Sequence, residues 1–218
     1  MNLKLTSKAQ EAAQPIPVDV ILASQSIGRR QILEKLGVRF RQVVTQLDEE
    51  SITTKDPQST IKLRAKTKLE EILTRPRVYL LNDKVHNLVI AADSMAVYGR
   101  RVFGKAPDRT DAAKILKDLM GKTHTFLTAV SIGYLENDGK VKKRWDKVAT
   151  TRVTLRKMNK AEMDGYVARY DFSRYAGAYA LNEAPWDLVT KIDGSYTNVI
   201  GLPLEVILPI FRSLAIIA

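Results

Sequence analysis

The chain has 218 residues, 45% hydrophobic and 27% charged, with 35 basic against 24 acidic side chains and a formal charge of +11. These values exclude wholesale disorder and allow one sizeable core, and the absence of cysteine excludes disulfides, cysteine-bound zinc and a thiol nucleophile. The positive surplus favours a polyanion or a phosphorylated small molecule without choosing between nucleic acid and nucleotide.

Residues 1–17 are polar, contain Pro15 and Pro17 and show no period, so they read as a flexible N-terminal arm before a single domain over 18–218. No apolar run of signal-peptide length occurs at the start, and Arg212 interrupts the apolar stretch near the end, so neither is a membrane span and a cytoplasmic location is expected. VDVILAS, from Val18, is a continuous apolar run suited to a buried strand. From Arg29 to Leu36, the spacing of Ile32, Leu33 and Leu36 gives one helical face, and Gly37 stops it. RFRQVVTQL reads as a second strand leading into the acids Asp48, Glu49 and Glu50, after which Pro57 opens a long helix to about Leu73. NLVIAADSMAVYG is another buried strand, and DRTDAAKILKDLMG a helix capped by Asp108 or Thr110 and stopped by Gly121. HTFLTAVSIGYL and KVATTRVTLRKM read as paired strands around the turn ENDGK. NKAEMDGYVARY is a short helix, DLVTKIDGSYTNVIGLP a final strand and loop, and LEVILPIFRSLA a closing helix, which makes the class mixed α/β.

Three stretches could do chemistry. In LASQSIGRRQIL, the turn between a buried strand and a helix offers free backbone N–H groups and the positive end of the helix dipole, an anion site. Ser24 and Ser26 add hydroxyls, and Arg29 and Arg30 add guanidinium forks for phosphate oxygens; the same residues could equally cap a helix and charge a surface, and P-loop spacing is missing. In VIAADSMAVYGRRVFGKAPD, Asp93 falls at the end of an apolar strand, where ligand sites of α/β sheets gather. A carboxylate there must be paired, hold a metal or move a proton, and a salt bridge with Lys105 is the simplest alternative. In LDEES, Asp48 and Glu49 could join Asp93 as oxygen ligands for a hard divalent cation, with Lys68 one helix later, although solvated strand-end charge is the competing reading. His86 and His124 lack the spacing of a zinc site or a triad, and His124 is expected to order the GKTH turn.

Taken in order, LASQSIGRRQIL, LDEES, RAKTKLEEIL, VIAADSMAVYGRRVFGKAPD, LMGKTHTFLTAV, YAGAYALNE and DGSYTNVIGLPLEVI resemble the Maf family of nucleoside triphosphate pyrophosphatases, from about Val20 to Leu204. The resemblance implies hydrolysis of the α–β phosphate bond of a nucleoside triphosphate, possession of a divalent metal, Mg2+ or Mn2+, and compatibility with a homodimer. It also implies a mixed twisted sheet with flanking helices in two lobes around a central groove, like that of the inosine triphosphate pyrophosphatases. Carried over by motif, Asp93 resembles the proton acceptor, Glu49 and Asp93 the metal-binding acids, Lys68 and Lys105 the lysines on the phosphates, and Ser24, Ser26 and Arg29 the phosphate-binding turn.

The departures from the family pattern fall elsewhere. Ile27 and Ala106 stand where proline is usual. Gly28 occupies a position that is commonly arginine in members preferring dTTP and UTP and tryptophan in those preferring 7-methyl-GTP. Ser94 replaces a threonine and Asn182 a glutamine. Gly28, Ser94 and Asn182 are therefore the positions bearing on base choice, and their identities imply retained phosphate chemistry with a relaxed or redirected preference. Nucleic acid is disfavoured as a partner, because Glu49 and Asp93 would repel a phosphate backbone and aromatic residues are only 7% of the chain. The alternative is a catalytically weak homologue acting through nucleic-acid or partner binding in cell division.

Overall fold

A computed structural model describes residues 17–183 and 186–217; the arm expected over residues 1–17 lies outside them except for Pro17, whose carbonyl accepts the His86 N–H. In chain order the elements are β1 (Val18–Ala23), α1 (Ile27–Lys35), β2 (Phe40–Val43), α2 (Pro57–Thr74), β3 (His86–Tyr98), β4 (Arg101–Phe103) and α3 (Arg109–Leu119). There follow β5 (Thr123–Leu135), β6 (Val141–Leu155), α4 (Lys160–Arg169), β7 (Val189–Asp193), α5 (Tyr196–Ile200) and α6 (Leu204–Ser213). The strands form one mixed sheet in the order β2-β1-β3-β5-β6-β7, with β4 paired to the end of β3. β1 runs parallel to β2 and β3, and the remaining pairs are antiparallel.

Strand alternation assigns the core. Val20 and Leu22 of β1, with Leu88 and Ile90 of β3, meet Leu33 of α1 and Ile207 and Phe211 of α6 on one face. Ile21 and Ala23, with Val89 and Ala91, meet Leu69 and Ile72 of α2 on the other, as a period of two requires. Each fully buried aliphatic or aromatic side chain contributes about 1.5–3 kcal/mol. A further cluster joins Leu116 and Leu119 of α3 to Phe126, Val153, Tyr166 and Tyr179.

α2 carries two buried stripes. Ile61, Ala65, Leu69 and Ile72 are apolar; Thr60, Arg64, Lys68 and Glu71, at spacings of three and four residues, are polar and also buried. Asp56 caps the helix through the Ser59 N–H at 2.8 Å, and Pro57 sits where a missing N–H costs nothing.

Several boundaries differ from the sequence reading. α1 begins at Ile27 because Ser26 is its cap, so Arg29 lies inside the helix. β2 ends at Val43, since β1, its pairing partner, stops at Ala23. β6 starts at Val141, well before Lys147, because β5 offers a full-length partner even to its exposed, charged half. α5 is a helical turn within the stretch expected to be loop, and Asp108, not Thr110, caps α3 through the Asp111 N–H. No helix among the described residues is long and apolar enough to cross a membrane.

Candidate active site

The site is built where β1 stops. β1 pairs with β2 and β3 through Ala23, opposite Val43 and Ala91, whereas β3 runs on beside β5, with Asp93 opposite Ala129. The end of β1 therefore opens a crevice along β3, at the carboxyl ends of the parallel strands. Asp93 is thus in the interior of β3, not at its end as the sequence suggested, because β5 keeps pairing where β1 has turned away. Adjacent strand residues face opposite ways, so Asp93 points toward α2 while Ser94 points toward α1 and α5. A cleft of about 300 Å³ collects side chains from both faces, among them Ser24, Ser26, Arg29, Glu49, Lys68, Asp93, Ser94, Lys105 and Asn182.

Arg29 anchors one wall. Its buried guanidinium donates to the Gly201 carbonyl through Nε at 2.8 Å, to Ser24 Oγ at 2.8 Å and to Ser94 Oγ at 2.9 Å. Ser94 Oγ in turn lies 2.9 Å from Thr128 Oγ1, which donates to the Asn198 carbonyl at 2.9 Å. Gly201 is left-handed, at φ 114°, a conformation that glycine adopts freely and that leaves its carbonyl to Arg29. Burial pushes the Arg29 guanidinium below its ordinary value, with Asp93 and Glu49 pulling it back. Ser26 accepts from the Arg29 N–H at 3.4 Å, and the Ser26 N–H donates to Ser24 Oγ at 3.2 Å, so the two serines shape the turn as well as lining the cleft.

The opposite wall is ionic. Lys68, 3% exposed, lies 2.6 Å from Glu49 Oε2 and 3.5 Å from Asp93 Oδ1, and donates to the Ala92 carbonyl at 3.2 Å. Arg64, one helical turn earlier, stands 3.8 Å from Asp93 Oδ2. The partners of Asp93 are therefore Arg64 and Lys68 of α2, in place of the Lys105 pairing that the sequence offered, since α2 packs directly over this face of β3. Asp93 Oδ2 is buried with no hydrogen-bond partner among the described residues. Lys105 comes into the cleft from beyond β4. Loss of hydration, then the charge of Arg29, push its ammonium below the ordinary value; Glu49 raises it, Lys68 lowers it and Asp93 raises it again. Among the described residues no group of three or more His, Cys, Asp or Glu side chains gathers as a metal site. Glu49 and Asp93 are an all-oxygen pair, which suits a cation of the Mg2+ type that takes one or two carboxylates and completes its shell with phosphate oxygens and water.

The third side is apolar. Phe126, Tyr179, Val199 and Ile200 line the cleft and belong to one hydrophobic cluster. His124, expected to order a turn, instead lies inside β5 with Nε2 2.9 Å from the Tyr179 hydroxyl, and burial pushes its imidazole down to about 4. The Asn182 amide donates to Gln31 Oε1. Gly28 is buried at the contact of α1 with α5: a Cβ there would lie 2.8 Å from both Cγ2 and the carbonyl oxygen of Ile200, and it supplies nothing to the cleft wall. Sequence reasoning missed Arg64, Thr128 and Tyr179. Only Arg64 left a signal, its spacing of four residues from Lys68.

The fold and the cleft define a mixed α/β protein with a charged groove at its parallel strand ends, where Arg29, Lys68, Lys105 and Arg174 stand among Asp48, Glu49, Glu50 and Asp93. The family model described as Maf-like protein matches residues 19–214, and the chain belongs to that family, which bears out the resemblance carried by the motifs. The dTTP/UTP pyrophosphatase of Chelativorans sp. is 32% identical over 190 residues, 87% of this chain and 88% of that one. The dTTP/UTP pyrophosphatase of Pelotomaculum thermopropionicum is 34% identical over 186 residues, covering 85% and 91%. The solved structure of a nucleoside-triphosphatase / dITP/XTP pyrophosphatase from Mycobacterium abscessus aligns with 90% of this chain and 97% of its own, at 10% identity and a TM-score of 0.35.

Proposed function

We propose that this protein is a nucleoside triphosphate pyrophosphatase, adding one water across the α–β phosphate bridge to release a nucleoside monophosphate and pyrophosphate. The observation that carries the reading is the convergence of Arg29, Lys68 and Lys105 on one cleft around a buried carboxylate, Asp93, with an oxygen that has no hydrogen-bond partner among the described residues. Loss of hydration, then the charge of Arg29, lowers the Lys105 ammonium although Glu49 and Asp93 pull it back, and a triphosphate entering the cleft would supply further negative charge to restore it. The family and the relatives named dTTP/UTP pyrophosphatase support the same reading.

Phosphoryl transfer asks the protein chiefly to position groups and neutralise charge. Arg29, Lys68, Lys105 and the Ser24–Ser26 turn would grip the phosphates, and Asp93 would take the proton that the attacking water gives up. Glu49 and Asp93 would hold a divalent ion, Mg2+ or Mn2+, which supplies further charge neutralisation at the phosphates. Phe126 and Tyr179 would wall the nucleoside end. Gly28 has no side chain to offer and the Asn182 amide is engaged by Gln31, so few directed hydrogen bonds reach the base and discrimination between bases is weak.

The test is pyrophosphate release from dTTP, UTP, CTP, 7-methyl-GTP, ITP and the common purine triphosphates with Mg2+ or Mn2+, comparing wild type with Asp93→Asn. Release by the wild type and a loss of at least about a hundredfold in the variant are expected, in line with removal of a general base. No release from any triphosphate would overturn the reading in favour of partner binding, and a strong preference for one base would overturn the claim of weak discrimination.

A further inference from the structure

Arg64 stands outside the groups assigned to the substrate, yet its charge is closely confined. The residue is 8% exposed. Nε donates to the Ile52 carbonyl at 2.9 Å, and the two terminal nitrogens meet Glu50, Nη2 at 3.0 Å from Oε2 and Nη1 at 3.4 Å from Oε1. The same Nη1 lies 3.8 Å from Asp93 Oδ2, too far for a hydrogen bond but close enough for strong attraction away from water.

The arrangement repeats at the next turn of α2. Lys68 holds Glu49 at 2.6 Å and faces Asp93 Oδ1 at 3.5 Å. Two neighbouring acids of the turn Glu49–Ser51 are thus clasped by two cations spaced i, i+4 on one helix, and both cations bracket the same carboxylate, one at each oxygen. Lys68 is a point charge on a flexible stem, whereas Arg64 is a planar fork fixed by three donated hydrogen bonds, so Arg64 is the rigid member of the bracket. Its anchor, Glu50, has a side chain 79% exposed to solvent, so Glu50 is spared the cost of a buried charge while Arg64 brings its charge inward.

We infer that Arg64 is a positioning residue for the reaction, fixing the rotation of the Asp93 carboxylate and the seat of the Glu49–Ser51 turn against α2. This rests on the reading of the cleft as a triphosphate site. A proton acceptor must be held in one orientation to act, and small displacements of such a group cost about a hundredfold in rate. Arg64 is not among the side chains that line the cleft, so its removal should act on turnover and spare substrate binding.

The experiment is steady-state hydrolysis of UTP with Mg2+ by wild type, Arg64→Met, Arg64→Lys and Glu50→Gln, with thermal melting of each. Arg64→Met, which keeps a long side chain without the charge, is expected to lower kcat by about ten- to a hundredfold with KM within about twofold. Arg64→Lys, which restores the charge without the planar fork, should recover only part of that loss, Glu50→Gln should fall between wild type and Arg64→Met, and melting should show each variant folded at the assay temperature, with Arg64→Met the least stable. A kcat for Arg64→Met within about twofold of wild type, equal losses in the Met and Lys variants, or a fall in kcat matched by an equal rise in KM would overturn the inference. Should Arg64→Met fail to fold, Glu50→Gln decides, since an unchanged kcat there removes the bracket from the mechanism. An inactive wild type takes down the functional reading together with the inference, whereas an active wild type with an indifferent Arg64→Met takes down the inference alone.

Discussion

Acid should weaken this protein through His124 in a way that can be separated from every other titrating group. The ring is 2% exposed, its Nδ1 has no hydrogen-bond partner among the described residues, and burial pushes it from 6.5 to about 4. The unfolded chain accepts a proton here below about pH 6.5, and the fold refuses it until about pH 4, so the contribution to stability is whole above that window and is lost as the pH falls through it. At 1.36 kcal/mol per pH unit, the loss reaches about 2.5 kcal/mol by about pH 4.5, a sizeable part of the 5–15 kcal/mol typical of a domain. His124→Gln keeps a side-chain amide for the Tyr179 hydroxyl and does not titrate. Urea unfolding followed by circular dichroism at about pH 7 and about pH 4.5 should therefore show a drop in unfolding free energy smaller by about 2 kcal/mol in the variant. Equal drops in the two proteins would refute the assignment of this acid sensitivity to the buried ring.

Two further substitutions test the architecture of the cleft. Gly28→Ala places a methyl 2.8 Å from the carbonyl oxygen of Ile200, and overpacking of about 1–3 kcal/mol should outweigh a helix-propensity gain of about 1 kcal/mol, lowering Tm by a few degrees in calorimetry; an unchanged or higher Tm would mean that α1 and α5 separate freely. Arg29→Lys can keep only part of the network to Gly201, Ser24 and Ser94 and should destabilise by about 2–4 kcal/mol while weakening UTP hydrolysis. Wild-type stability in that variant would show the three hydrogen bonds to be replaceable.

The frame of the fold was legible because its signals are local. The apolar run at Val18, Pro57 before a long periodic segment, and the capping residues offered at Asp108 and Thr110 each act within one element. Where an element is set by its neighbour, the sequence was silent. The first half of β6 reads VKKRWDK, without alternation, and is a strand because β5 lies beside it. α5, only five residues long, has too few positions to display a period. Of the candidate site, Ser24, Ser26, Arg29, Glu49, Lys68, Asp93, Ser94, Lys105 and Asn182 do meet around one cleft, while Gly28 lies at a helix contact behind it.

The sequence by itself carried the resemblance to the family through its motifs, and the order of the elements apart from β4 and α5 through local periodicity. The tertiary structure decided which charges pair. Asp93 and Lys105 are near in sequence, yet α2 sets Lys68 and Arg64 against the carboxylate, because Coulomb attraction and desolvation depend on distance in space. The pleat, in turn, sends Asp93 and Ser94 to opposite sides of the sheet, and only the early end of β1 lets one cleft reach both.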